Sequence, residues 1–281
     1  MTSPITVGLL HPGQMGAAVG HELTKAGVRV LWCPAGRSEA SVRRAEQAGL
    51  DAVPDLRVLL ERSSVVISLC PPAAAEETAE SVREAGFSGV FVDANAISPD
   101  RAERIATDMV AHGARVVDGC VIGPPPGGSI DTHLYLSGKG SEVTEIAELF
   151  AGTAIVPLQM EGRVGAASAL KMAYGSYQKA ECALAGVAQA LGRAHGVDEH
   201  LTAEARRLAK SPLATPEYLT GVAAKAWRWA PEMREVSQSL AAAGLPREMA
   251  EAAATVFDFW EQDKDDQGLL LPQVLDQLKR G

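Results

Sequence analysis

Cysteine is scarce in this 281-residue chain, and the four present, Cys33, Cys70, Cys120 and Cys182, form no CxxC pair. A cytoplasmic protein with reduced thiols is the simplest account. The six histidines show no ligand spacing either, so no metal site is expected. Positive charge is also short: 26 Lys and Arg face 35 Asp and Glu, a formal net charge of −9. That argues against a nucleic-acid partner, which needs a basic footprint. It leaves room for one local basic pocket that takes an anionic cofactor. No apolar run is long enough to span a bilayer, so no membrane partner is expected; Ile5–Leu10 has the length of a strand. Met1–Gly8 lacks the basic region that opens a secretory signal. Low-complexity tracts and fixed-period repeats are missing, so disorder and solenoids have no support.

What remains is an ordinary globular composition, 47% hydrophobic and 22% charged. The length suits two domains or one large one. Short apolar runs alternate with amphipathic stretches through the first half. Strands are expected at Ile5–Leu10, Val28–Trp32, Val65–Leu69, Val90–Asp93 and Arg115–Asp118. Helices are expected over about Met15–Ala26, Ala74–Ala85 and Pro99–His112. This alternation predicts a doubly wound parallel sheet, and the near-continuous Val/Ile/Leu runs fit strands covered on both faces. His133–Leu136 and Ala154–Pro157 would extend the sheet. After Met160 the pattern turns helical. Gly162–His195 contains no proline and reads as one long helix. Ser211-Pro212, Thr215-Pro216, Ala230-Pro231 and Leu245-Pro246 mark expected helix boundaries. The expected division is a Rossmann domain over 1–160 and an all-α domain over 161–281.

The first strand runs into His11-Pro12-Gly13-Gln14-Met15-Gly16. A dinucleotide fold needs a tight turn here, then a helix whose first N–H groups face the pyrophosphate. Gly13 would let the backbone approach phosphate, and Gly16 would let helix pack on strand. His11 stands where the first glycine of GxGxxG belongs, so the fingerprint is incomplete. Leu10, His11, Pro12, Gly13, Gln14 and Met15 are the candidate turn contacts. About 20 residues on, NAD enzymes place an acidic residue for the ribose diol; here the position carries Cys33. Arg37 and Ser38 follow Gly36, an arrangement suited to a 2′-phosphate, with Arg43 as a helper. NADP is therefore expected in preference to NAD. Arg37 as a solvated loop charge is the alternative.

Five segments in order resemble the β-hydroxyacid dehydrogenase superfamily, which includes 6-phosphogluconate and 3-hydroxyisobutyrate dehydrogenases. Gly13-Gln14-Met15-Gly16 resembles its GxMG turn. Val65–Pro71 resembles the segment bordering the adenosine and phosphates, and Asp93–Pro99 the stretch near the nicotinamide ribose. Asp118–Gly123 resembles the D-A-P-V-S-G substrate loop. Gly165–Lys171 resembles the motif that carries a catalytic lysine. A branch with HPGxMG, DANAISP, ALKM, Trp-Arg-Trp and Glu-Met is matched most fully; the last two appear here as Trp227-Arg228-Trp229 and Glu232-Met233. The resemblance implies cofactor contacts at Cys70, Pro71 and Asn95. It implies substrate contacts at Cys120, Ile122, Gly123 and Met233. Three departures bear on the substrate: the loop serine is Ile122, the asparagine after the lysine is Gly175, and the family's Lys-Asp pair has no counterpart near Pro231–Val236. A plain 3-hydroxy acid and 6-phosphogluconate are therefore disfavoured.

On a helix, Ser168, Lys171, Tyr174, Gly175 and Gln178 share one face. Reduction of a carbonyl needs a proton donor at the developing alkoxide. Lys171 fits that role, with Tyr174 as a second donor and Gly175 and Gln178 beside the substrate. Spacing alone leaves Lys171 a surface lysine; the resemblance makes it catalytic. The expected function is an NADP-dependent oxidoreductase acting on a small carbonyl or alcohol. An imine reductase of the same layout and a non-catalytic dinucleotide sensor are the alternatives. Imine reductases usually carry Asp or Tyr at the lysine position. Gly123, Gly127 and Gly128 would bind an oxyanion or merely shape a turn. Asp263–Gly268 looks like the start of an EF-hand loop, but its twelfth position is Val274, so a solvated turn is expected. A homodimer is expected, because Trp227, Trp229, Trp260, Phe257 and Phe259 crowd a small helical domain.

Overall fold

A computed structural model describes residues 5–208, 215–242, 244 and 247–280. The expected boundaries at Ser211-Pro212 and Leu245-Pro246 lie outside the described residues. The chain forms two compact units, Met1–Lys171 and Met172–Gly281.

The first unit alternates strands and helices. They are β1 (Thr6–Leu10), α1 (Gln14–Lys25), β2 (Arg29–Trp32), α2 (Glu39–Gln47), β3 (Asp51–Ala52), α3 (Leu56–Arg62), β4 (Val65–Ser68) and α4 (Ala75–Glu84). Then follow β5 (Val90–Asp93), α5 (Pro99–Ala111), β6 (Arg115–Ile122), β7 (Thr132–Gly138), α6 (Gly140–Leu149) and β8 (Ile155–Gln159). The sheet order is β3-β2-β1-β4-β5-β6-β7-β8. Its first six strands are parallel in the dinucleotide-fold order, with the topological switch between β1 and β4. Successive residues of one strand feed different cores. Val65 and Ile67 enter the core on one face, and Val66 and Phe91 the core on the other. Burying each such side chain contributes about 1.5–3 kcal/mol, which explains why these strands read as unbroken apolar runs.

Two features differ from expectation. β6 does not end at Asp118 but runs to Ile122, so Gly119, Cys120, Val121 and Ile122 are strand and not loop. They pair with β7, Cys120 opposite Tyr135 and Ile122 opposite His133. That pairing is antiparallel. The connection between Ile122 and Thr132 holds no helix, and a parallel return needs a crossover of a dozen residues or more. Pro157 sits in β8, at the sheet edge, where a missing N–H is tolerated.

α7 (Ala166–Ala194) is the long proline-free helix expected from the sequence, and the division between units falls within it, after Lys171. The second unit continues with α8 (Asp198–Leu208), α9 (Tyr218–Ala242), α10 (Glu248–Asp258) and α11 (Leu271–Gln277). The boundary expected at Ala230-Pro231 is absent: Pro231 lies inside α9. An interior proline costs about 3 kcal/mol. Val222, Ala226, Ala230, Met233 and Val236 are buried along α9 on both sides of it, and that continuous apolar face outweighs the local cost.

Of the five Trp and Phe residues here, Phe257 and Trp260 are fully buried inside this unit, while Trp227, Trp229 and Phe259 are half-buried. Trp229 meets Phe257 edge-on at 5.6 Å, and the Trp260 indole donates to the Val274 carbonyl at 2.8 Å. Phe257 and Trp260 are therefore covered within the unit. Asp263, expected to be solvated, is buried and accepts from the Gln277 amide. Among the described residues no group of His, Cys, Asp and Glu has metal-site geometry, and no helix is long and apolar enough to cross a membrane.

Candidate active site

The turn after β1 divides its work among three residues. His11 takes a left-handed conformation, φ +66°, and so makes the bend usually given to glycine. A Cβ on Gly13 would meet nothing within 4 Å, which leaves the backbone open to a ligand. A Cβ on Gly16 would lie 2.5 Å from the His11 carbonyl oxygen, so only glycine lets α1 pack on the turn. Gly13 caps α1 without a side-chain bond. The start of α1 thus turns its N–H end toward the open side of the turn, where a helix favours an anion. Leu10 and Pro12 are buried, Met15 is half-buried and Gln14 is exposed.

A cavity of about 230 Å³ lies beside this turn, lined by His11, Cys33, Arg37 and Asp55 together with Thr78 and Ser81 of α4. Arg37 Nε and His11 Nδ1 are both buried without a hydrogen-bond partner. Burial, and then the Arg37 charge, push the His11 imidazole down to about 4. Among the described residues Arg37 makes no side-chain ion pair. Asp55 is committed elsewhere, accepting the Val58 N–H at 2.8 Å to cap α3. Ser38 likewise caps α2, accepting from Ser41 N. Arg43 is spent on an exposed pair with Glu39. A guanidinium with an unsatisfied nitrogen, an open turn and a helix start without a side-chain cap fit the phosphates of a nicotinamide dinucleotide.

At the ends of β4 and β5 a buried polar network sets the sheet edge. Asn95 Oδ1 accepts from Cys70 N at 2.7 Å, and Asn95 Nδ2 donates to Asp93 Oδ1 at 2.8 Å and to Ser68 Oγ at 3.0 Å. Asn95, expected to touch the cofactor, is buried and spends its amide on fixing Cys70 and Asp93. Pro71 is exposed beside it. Burial raises the Asp93 carboxyl to about 7; the Asp118 charge adds to this and hydrogen bonds from Asn95 oppose it. Its Oδ2 has no partner.

Asp118 sits beside Asp93 on β6. Its Oδ2 accepts from Gly165 N at 2.8 Å, Ser168 N at 3.1 Å and Ser137 Oγ at 3.0 Å, and its Oδ1 accepts from Ser168 Oγ at 2.7 Å. Burial raises its pKa against these bonds. The carboxylate thus holds the first turn of α7, satisfying N–H groups that a helix start leaves open. One turn further on, Lys171 Nζ donates to the Val121 carbonyl of β6 at 2.9 Å. The ammonium therefore stands at the end of the sheet where the parallel strands finish, the edge at which such folds bind ligands. Cys120 is buried, and its thiol is pushed up to about 12 by that burial despite the Lys171 charge. It is a neutral packing group. Ile122 is half-buried at the end of β6. Gly123, φ +128°, is required by its turn, since a Cβ would lie 2.8 Å from the Asp131 carbonyl oxygen. Gly127 and Gly128 face open space.

The remaining expected residues belong to the second unit. Tyr174 is exposed, Gly175 buried and Gln178 half-buried, while Met233 is core. Sequence reasoning missed Lys179. It is buried, pairs with Glu232 at 2.6 Å and lies 5.4 Å from the Trp229 ring centre. A Cβ on Gly175 would stand 3.8 Å from the Lys179 ammonium. Lys179 and Glu232 thus form an ion pair between α7 and α9. A lysine four residues beyond a glycine on the same helix ridge was the available signal.

Comparison with known proteins places this geometry. Residues 193–260 match a domain of unknown function, DUF1932. A Methanothermus fervidus protein described as an uncharacterized 28.5 kDa protein in the 7S RNA 5′ region is 29% identical over 179 residues, 63% of this chain and 67% of that protein. Among solved structures, Mycobacterium tuberculosis 3-hydroxyisobutyrate dehydrogenase with L-serine is 18% identical, with a TM-score of 0.71 over 99% of this chain and 100% of that one. The Aspergillus terreus reductive aminase, in complex with NADPH4, cyclohexanone and allyl amine, is 18% identical, with a TM-score of 0.61 over 98% of this chain and 99% of that one. Residues 6–160 match the NAD binding domain of 6-phosphogluconate dehydrogenase. The chain belongs to that family, and with it to the β-hydroxyacid dehydrogenase-like superfamily of NAD(P)-dependent oxidoreductases.

Proposed function

We propose that this chain is an NADP-dependent oxidoreductase that interconverts a small carbonyl compound and its alcohol, with Lys171 as general acid in reduction and general base in oxidation. The observation that carries the reading is the Lys171 ammonium held 2.9 Å from the Val121 carbonyl at the end of β6. When bound, the nicotinamide cofactor supplies or accepts the hydride. The chain supplies position and a proton. Gly13 and the start of α1 receive the pyrophosphate, and Arg37 receives the ribose phosphate. Lys171 Nζ gives its proton to the oxygen that gains charge and takes it back in the reverse direction. Asp118 acts indirectly, fixing the first turn of α7 one turn before Lys171. Cys120, being neutral and buried, takes no nucleophilic part.

Imine reduction is the second reading, favoured by the likeness to the reductive aminase. An iminium arrives already protonated, so it needs no acid at Lys171. A panel of aldehydes, ketones and imines assayed with NADPH separates the two readings. Turnover of carbonyls supports the proposal; turnover of imines alone replaces it, and turnover of neither leaves a dinucleotide sensor. The protein is proposed to work in the cytoplasm as a homodimer. Tyr174, Tyr177 and Leu184 leave α7 with exposed apolar surface, and Trp227, Trp229 and Phe259 are only half-buried. Light scattering at micromolar concentration gives twice the chain mass if this holds.

A further inference from the structure

The cavity where β1 and β2 end contains a histidine that the proposed chemistry does not use. His11 keeps a side chain at a left-handed backbone position. That conformation costs a non-glycine residue about 1–2 kcal/mol. Strain of this kind persists where the side chain has work to do. Its Nδ1 is buried without a partner, as is Arg37 Nε, and both residues line the same cavity. Such a pair of buried nitrogens, left unpartnered by the protein, suits a ligand rich in acceptor oxygens, and a phosphomonoester brings three.

We propose that His11 is a second reader of the ribose 2′-phosphate, and that NADP(H), unlike NAD(H), binds with uptake of a proton by the His11 imidazole. This rests on the NADP reading above. In the free protein burial, and after it the Arg37 charge, keeps the His11 imidazole neutral. The other charged groups around it do not reverse this. Asp55 lines the cavity but is spent on capping α3. Arg44 reaches the neighbouring Pro12 carbonyl and adds positive charge. A phosphate carrying about −1.5 to −2 charge inverts the local field. The imidazolium then becomes favourable, with donors on both ring nitrogens. A 2′-hydroxyl brings no such charge. Because the ligand raises the affinity of the imidazole for its proton, NADP(H) binds more tightly as pH falls. The phosphate's own ionisation, near 6, opposes the effect only at lower pH.

Isothermal titration of the full chain with NADP+ and NAD+ tests this at pH 6.5 and 8.5, in buffers of low and high ionisation enthalpy. The wild type should take up a fraction of a proton with NADP+ and none with NAD+. Its preference for NADP+ should grow by about tenfold from pH 8.5 to 6.5, the worth of one charge-assisted hydrogen bond. His11→Asn tolerates the left-handed backbone. It should abolish both the proton uptake with NADP+ and the pH dependence of the NADP+ preference. His11→Gly relieves the backbone and deletes the ring, and should give the same result if the Asn variant folds poorly. Either variant retaining wild-type uptake and preference overturns the proposal. A preference that depends on Arg37 but is flat with pH overturns the His11 role alone. No preference for NADP+, with no effect of Arg37→Ala, overturns the NADP reading and this proposal together.

Discussion

Replacing Asp93 with asparagine should stabilise the protein at alkaline pH. Asp93 Oδ1 accepts from Asn95 N at 3.1 Å and from Asn95 Nδ2 at 2.8 Å, and an asparagine Oδ1 keeps both bonds. Oδ2 is buried with no partner, so an amide nitrogen there displaces no donor. What changes is charge. Asp93 is buried beside Asp118, and its carboxyl is raised from 3.8 to about 7. The folded chain therefore holds this proton more tightly than the unfolded chain does. Stability from that proton is full below about 4 and is lost as pH rises to about 7. Each unit of pKa is worth about 1.4 kcal/mol, so the full loss is about 4 kcal/mol. Relaxation and water entry bring the expected gain of Asp93→Asn at pH 8 to about 2–4 kcal/mol. Urea unfolding of both proteins at pH 4 and pH 8, read through the buried Trp32 of the first unit, measures the difference. The curves should nearly coincide at pH 4 and separate at pH 8. A variant less stable than wild type at pH 8 would refute the reasoning, because the ionised Oδ2 would then have a stabilising partner.

The two turn glycines should behave differently. Gly13→Ala should fold with wild-type stability yet lose at least about tenfold in cofactor affinity, since its Cβ enters only the space left for phosphate. Gly16→Ala should lose about 1–3 kcal/mol of folding stability, as its Cβ meets the His11 carbonyl; denaturation alongside cofactor titration separates the two. Cys120 should resist iodoacetamide at pH 8 in the folded protein, because its thiol is buried and pushed up to about 12. Mass spectrometry finding it alkylated as fast as the half-buried Cys33 would contradict its placement.

The dinucleotide turn was legible in the sequence because its determinants are local. Bend, approach and packing positions fall within six residues, and each has a steric reason. The strand runs were legible because parallel strands buried on two faces admit little but Val, Ile, Leu and Phe. The end of β6 was not. Cys120, Val121 and Ile122 follow a glycine, and their strand state comes from pairing with β7, which no local signal encodes. Asp118 stands in the sequence only as the first residue of the segment resembling the substrate loop, yet its partners Gly165 and Ser168 lie 47 and 50 residues away, and only the fold brings them to it. Pro231 misled because the local cost of an interior proline is visible in sequence, whereas the buried face of α9 that overrides it is not. Lys179 was missed for the same reason: its partner Glu232 reaches it through the packing of α9 against α7.

The central claim is that Lys171 moves the proton. Lys171→Met keeps most of the side chain's length and bulk while deleting the donor. Positioned proton transfer is worth about 10²–10⁴-fold, so kcat with NADPH and the best carbonyl of the panel should fall by that order. NADPH affinity should change little, because the lysine lies outside the phosphate-binding turn. A variant with wild-type kcat would contradict the account and shift the donor role to Tyr174.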